Sequence, residues 1–257
     1  MSQLLFGRPW EIPELVSINR LRARSARLLP YRTEAQALRR DPAKSPWFKC
    51  LDGEWAFRYF ERPEDVAEAD LADGADTSAW ARVAVPGNFT MQGYSIPHYT
   101  NVQMPFPNDP PRVPDANPTG LYRFSFDLPE GWDKRRTVLH FGGSESETVV
   151  FLNGKRVGMF TDSRLPSEFD ITPFARAGRN DLAVVVIRWT ASSYIEDQDH
   201  WWQAGIFRDV YLYSQKAELY VEDIHAKAGY DPKSGEGLLD LEVKLNSAQT
   251  TWGGTEP

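Results

Sequence analysis

Between Tyr194 and Trp202 the sequence reads Tyr-Ile-Glu-Asp-Gln-Asp-His-Trp-Trp, placing three carboxylates, Glu196, Asp197 and Asp199, within four residues. Carboxylates this close raise one another's pKa unless a cation, an arginine or a proton relieves them. In an extended segment Asp197 and Asp199 point to the same side. That arrangement suits a hard cation with oxygen ligands, an acid/base pair, or a structural salt-bridge network with Arg164, Arg188 or Arg208 as partners. The residue types leave all three open.

A second candidate surface lies between Pro86 and Pro118, a stretch with eight prolines and the aromatics Phe89, Tyr94, Tyr99 and Phe106. It is too rich in proline for central strands and too long for an ordinary connection. A stiff aromatic loop suits a sugar, whose ring offers apolar CH faces for stacking and hydroxyls that need amide or carboxylate partners. Asn88, Gln92, Asn101 and Asn108 are the amides available; the alternative is that they only pin the loop to itself. Other chemistries are poorly represented. His98, His140, His200 and His225 lack metal-ligand spacing, no cysteine pair exists, and Gly142-Gly143-Ser144 lacks the flanks of a nucleophile elbow or phosphate loop.

The elements that must position these groups read as all-β. Aromatics make up 13% of the 257 residues, and 19 Pro and 18 Gly punctuate the chain, which fits many short strands joined by rigid loops. Trp55, Phe57 and Tyr59 alternate along one strand, and Tyr122, Phe124, Phe126 and Leu128 along another, with Arg123, Ser125 and Asp127 on an opposite face expected to be wet. Glu147–Leu152, Asn153-Gly154 and Lys155–Phe160 read as a hairpin, because Asn-Gly tolerates the positive φ angles of a type I′ turn. Thr172, Pro173 and Gly178 read as N-cap, first-turn proline and terminal glycine of one helical turn. With 82–85, 138–141, 182–189 and 209–213 also read as strands, at least seven fall between residues 51 and 214, predicting a jelly-roll-like antiparallel sandwich.

Residues 1–45 form an Arg-rich arm, either a partly ordered tail or a segment that packs on a partner domain; within it Ile18, Leu21, Ser25 and Leu28 are spaced for a short helix stopped by Pro30. The sandwich occupies 46–216. After Lys216 two further strands, 219–228 and 239–245, begin a second sandwich that the chain does not complete. The balance of 36 acidic to 29 basic residues gives a net charge of −7, which repels nucleic acid and anionic lipid. Cys50, the sole cysteine, is expected to be a buried reduced thiol. With no apolar run of signal-peptide or membrane-spanning length, a soluble cytoplasmic protein is expected.

Several runs resemble the N-terminal domain of the family 2 glycoside hydrolases, and within them the bacterial enzymes that hydrolyse β-galactosides such as lactose. They are Thr100-Asn101-Val102, Asp162-Ser163-Arg164-Leu165-Pro166-Ser167-Glu168-Phe169-Asp170, and Glu196-Asp197-Gln198-Asp199 followed by Gly205-Ile206-Phe207-Arg208-Asp209-Val210. Ile18-Asn19-Arg20-Leu21, Leu51-Asp52-Gly53-Glu54-Trp55 and Asn117-Pro118-Thr119-Gly120 fall in matching order. The resemblance implies a jelly-roll domain, an immunoglobulin-like second domain in 217–257, and a barrel beyond this chain that carries both catalytic glutamates. No catalytic residue is therefore expected here. The resemblance further implies that Asn101 binds the galactosyl unit and that Asp199 holds a sodium ion touching a sugar hydroxyl. His200 and Trp201 are added as candidate substrate contacts, His200-Trp201-Trp202 being a departure from the family's usual triplet. Magnesium is expected only in the catalytic part, and the intact protein is expected to be a homo-oligomer. The rival reading is a stand-alone carbohydrate-binding module or a complementing subunit.

Overall fold

The computed structural model describes residues 8–24, 26–101, 103–196 and 199–248. Its main body is two packed antiparallel sheets. One has seven strands in the order Ser17–Ile18, Lys155–Phe160, Glu147–Leu152, Gly178–Ile187, Thr119–Leu128, Gly53–Phe60 and Ala81–Val85. The other has four, in the order Ser167–Asp170, Arg136–Phe141, Val210–Gln215 and Phe48–Cys50. Alternation builds the core between them: Trp55, Phe57, Tyr122, Phe160, Leu182 and Val184 from the first sheet meet Phe141, Phe169 and Leu212 from the second. The tight turn at Asn153-Gly154 has φ angles of 52° and 74°, as a type I′ turn requires.

The outer face of the seven-stranded sheet is also largely dry. Leu121, Val149, Phe151, Val185 and Ile187 pack there under Trp10, Leu71, Val113 and Trp202, all supplied by segments outside the sheet. Arg123, expected on a wet face, is buried, its guanidinium donating to the carbonyls of Asp70 (2.8 Å) and Ala72 (2.9 Å). The outer face of the four-stranded sheet is smaller. Val138, Tyr211 and Tyr213 pack there against Leu21 and Leu29 of the arm.

Three local readings are corrected. The arm contains no helix over residues 18–24 or 26–28; Ser17–Ile18 adds an edge strand to the larger sheet, and Asn19, at φ 56°, breaks any helical path. Its Leu21 amide donates to Glu168 O at 2.8 Å instead, while Ser25 lies outside the described residues. A single turn does form, closed by the Ala175 amide on Ile171 O at 2.9 Å, but Thr172 is not its cap: Asp170 Oδ1 takes the Thr172 amide (3.0 Å), and Gly178, at φ 73°, already opens the next strand. Cys50, at the end of an edge strand, is exposed.

Strands Tyr220–Asp231 and Glu236–Asn246 form a separate two-stranded sheet. No helix among the described residues is long and apolar enough to cross a membrane.

Candidate functional site

The proline-rich loop is stitched down at its start. Gly87–Asn88 pairs with Gly205–Ile206, which pairs in turn with Ser144–Glu145. Gly205 must be glycine: its φ is +133°, and a Cβ would lie 2.8 Å from the Phe89 amide nitrogen and 2.9 Å from Gly87 O. Gln92 ties the loop to the preceding strand Ala81–Val85, accepting from the Ala84 amide at 2.7 Å and donating to Ala84 O at 3.1 Å, and within the loop donates to Asn88 O at 3.4 Å. Phe89 and Tyr94 turn into the core against Phe57, and Phe106 packs edge-on to Trp189 at 5.1 Å. Three of the four loop aromatics are therefore packing residues and do not form the stacking surface expected of them.

Tyr99 is the exception, and Arg188 explains its placement. This buried arginine ends the apolar run Leu182–Ile187 and reaches outward, donating to Ser95 Oγ (3.1 Å), Ile96 O (2.8 Å), His98 Nδ1 (3.0 Å) and Trp202 O (3.0 Å). Burial pushes its pKa down to about 10, so it stays charged at neutral pH. Burial and the Arg188 charge both lower His98, whose neutral ring accepts at Nδ1. The loop and the acidic segment are thereby clamped together. His98 and Trp202 exchange backbone hydrogen bonds (3.3 and 2.7 Å), and Trp202 Nε1 donates to Thr100 Oγ1 at 3.0 Å. Trp202 goes in; its neighbours go out. Tyr99 and Trp201 are 50% and 56% exposed, their ring centres 5.7 Å apart.

Asp199 joins them, its Oδ1 accepting from Tyr99 OH at 2.6 Å, a bond that raises the tyrosine pKa. Asp199 Oδ2 has no partner among the described residues. Asn101 follows two residues after Tyr99 in the left-handed region (φ 52°), exposed and with no side-chain partner among the described residues. Asn108 is likewise exposed, whereas Asn88 Oδ1 is buried without a partner. His200 folds back over its own segment, with Nδ1 2.9 Å from Trp201 O and Nε2 3.1 Å from Glu196 O. Asp197 and Gln198 lie outside the described residues.

None of the three arginines named as salt-bridge partners pairs with Glu196 or Asp199. Arg164 binds Glu145 at 3.1 Å, Arg188 serves the clamp, and Arg208 donates to the carbonyls of Arg164 and Gly142. Glu196 instead accepts from the Ser163 amide (3.0 Å) and hydroxyl. Glu145, which sequence reading missed, is a buried carboxylate accepting from the Gln203 amide at 3.3 Å, its pKa raised by burial against the pull of Arg164. Among the described residues no three His, Cys, Asp or Glu side chains converge as a metal site. The Asp199 carboxylate and Tyr99 hydroxyl fit the oxygen chemistry of a hard cation, as one side of a shell that other donors would have to complete.

Residues 48–216 match the family described as glycosyl hydrolases family 2, sugar binding domain. The β-galactosidase of Yersinia enterocolitica is 41% identical over 251 residues, covering 96% of this chain and 23% of that protein. The β-galactosidase of Erwinia tasmaniensis is 44% identical over 234 residues, 91% of this chain and 22% of that protein. The chain thus spans about a quarter of the length of these relatives. Among solved structures, a β-glucuronidase from an uncultured Clostridium superposes with a TM-score of 0.57 at 24% identity over 79% of this chain and 34% of its own, and that of Bifidobacterium dentium with 0.57 at 21% over 78% and 36%. These show the shared fold. A family match over the whole sandwich, with relatives above 40% identity along nearly the entire chain, makes this chain a member of glycosyl hydrolase family 2, carrying its N-terminal sugar-binding domain.

Proposed function

We propose that this chain supplies part of the sugar site of a retaining β-galactosidase and that it is not catalytic by itself. The observation that carries the reading is the clamp. Arg188 and the His98–Trp202 pairing bring the Asn101 loop and the Asp199 segment, a hundred residues apart in sequence, to one exposed rim. On that rim Asn101 is a neutral donor and acceptor for galactosyl hydroxyls. Asp199, steadied by Tyr99, offers a carboxylate oxygen to a sodium ion, while Trp201 and His200 flank the leaving-group side. The acid/base and nucleophilic carboxylates, about 5 Å apart in retaining enzymes, belong to a barrel domain beyond this chain, as does any magnesium. The intact enzyme is a cytoplasmic homo-oligomer in this reading, and the exposed free thiol of Cys50 suits a reducing compartment.

The domain assignment belongs to the same proposal: an arm over 1–45, the sandwich over 46–216, and the opening of an immunoglobulin-like domain over 217–257. The exposed leucines of Glu236–Asn246 support the last, since a one-sided apolar hairpin is the start of a sandwich that needs further strands.

The test uses this chain joined to the rest of its reading frame and follows nitrophenyl-galactoside turnover against sodium at fixed ionic strength. Asn101→Ala raises KM about tenfold, the effect of one lost ligand hydrogen bond, and keeps the sodium midpoint. Asp199→Asn shifts that midpoint upward, because an amide offers a cation a dipole in place of a charge. A wild-type midpoint in Asp199→Asn would sink the sodium assignment, and turnover by the purified 257-residue chain alone would sink the non-catalytic one.

A further inference from the structure

The outer face of the four-stranded sheet holds a cavity of about 400 Å³ against arm residues 21–24, 26 and 27, lined by Arg22, Arg24, Arg27, Arg208, His140 and Glu168 among others. Four guanidinium groups around one hollow invert the field of a chain whose net charge is −7. Among the described lining residues two carboxylates oppose them. Glu168 is already saturated, bound by Arg24, by His140 Nδ1 at 2.9 Å and by Tyr213 OH at 3.2 Å. Asp209 stands 3.4 Å from Arg27, whose guanidinium also lies 4.8 Å above the Tyr211 ring.

Among the described residues, two of the four cations have no counter-charge within ion-pair distance. Arg208 donates only to main-chain carbonyls, Arg164 O at 2.8 Å and Gly142 O at 3.4 Å, which satisfy hydrogens but carry no net charge. Arg22 is exposed and has no partner among the described residues. His140 is fixed by stacking on Tyr211 (4.1 Å, 18°), and with Nδ1 committed to Glu168 its Nε2 is the free nitrogen of a cavity-lining ring. The volume matches a small molecule, and forked guanidinium donors are matched to oxyanions in geometry as well as charge.

We propose that this cavity binds a small multivalent oxyanion, with Arg22 and Arg208 neutralising it and Arg24, Arg27 and His140 forming its walls. Calorimetry of the whole chain with inorganic pyrophosphate and with citrate tests the site and separates phosphoryl from carboxylate ligands by which binds more tightly. Saturable single-site binding is expected, weakened by added salt. Arg22→Ala, which breaks no hydrogen bond or ion pair among the described residues, weakens it about tenfold, the effect of one charged hydrogen bond; Arg22→Lys keeps part of the affinity, and Arg82→Ala, on the other sheet, leaves it unchanged. Absence of saturable binding by either anion overturns the proposal. So does equal weakening by Arg82→Ala, which would mean diffuse attraction, or full affinity in Arg22→Ala. Arg208→Ala is read only if its thermal melt matches the parent, and otherwise Arg22→Ala decides alone.

Discussion

The strands Thr119–Leu128 and Glu236–Asn246 carry the same pattern and meet opposite fates. In the first, Tyr122, Phe126 and Leu128 alternate into the core between the sheets. In the second, Leu239, Leu241, Val243 and Leu245 alternate just as cleanly, and their partners Ala228, Ala226, Ile224 and Val221 extend the apolar face, yet all four side chains stand in solvent. Period-two patterning therefore encodes a face and says nothing of what covers it. Cover comes from distant sequence: the four-stranded sheet for one face, Trp10 and Trp202 for another.

The largest break in this comparison is expected at Trp55, wholly buried, stacked 5.0 Å from Phe124 and donating from Nε1 to Leu51 O at 2.9 Å. Trp55→Ala is expected to cost about 3–5 kcal/mol in chemical denaturation, against less than about 0.5 kcal/mol for Leu241→Ala on the hairpin; equal effects would mean that the hairpin face is covered in solution.

Glu147 sharpens the contrast through pH. Neither of its carboxyl oxygens has a hydrogen-bond partner among the described residues, and burial pushes its pKa up to about 8 from 4.5. Because the folded value is raised, the stabilisation is complete below pH 4.5 and is lost as pH rises to about 8, falling by about 1.4 kcal/mol per pH unit across that window. Glu147→Gln is expected to remove this slope in urea titrations, whereas Glu242→Gln on the exposed hairpin should leave it intact. A slope unchanged in Glu147→Gln would show that another group carries the dependence.

Ending the chain at Gln215 is the mildest of the changes to architecture. It removes the Tyr220 ring 4.6 Å from Arg136 and the 3.4 Å bond from the Ala26 amide to Asp223. A loss of about 1–2 kcal/mol is expected, with a single cooperative melt retained; loss of cooperativity would make the hairpin part of the sandwich's folding unit.

Local chemistry was legible wherever neighbours in sequence decide the outcome. Asn153-Gly154 dictates its own hairpin, and the strands on either side follow. The arm was misread because apolar spacing from Ile18 to Leu28 fits a helix equally well, and only pairing with Lys155–Phe160, far along the chain, selects the extended form. Asn101 and Asp199 were nameable through resemblance, but no local signal shows that they share a rim. The one available hint was Arg188, a lone cation closing the run Leu-Ala-Val-Val-Val-Ile, which must find acceptors nearby. Reading it as a partner for carboxylates chose the wrong acceptors.

Those acceptors bear on how the rim can diverge. Two of the four groups that Arg188 holds, Ile96 O and Trp202 O, are main-chain carbonyls, present whatever side chain stands at either position. Replacing Ile96, which faces solvent, leaves its half of the clasp in place. The outward side chains, Ile96, Tyr99 and Trp201 among them, are therefore free to change in sequence, altering what the rim touches without redesigning the support beneath.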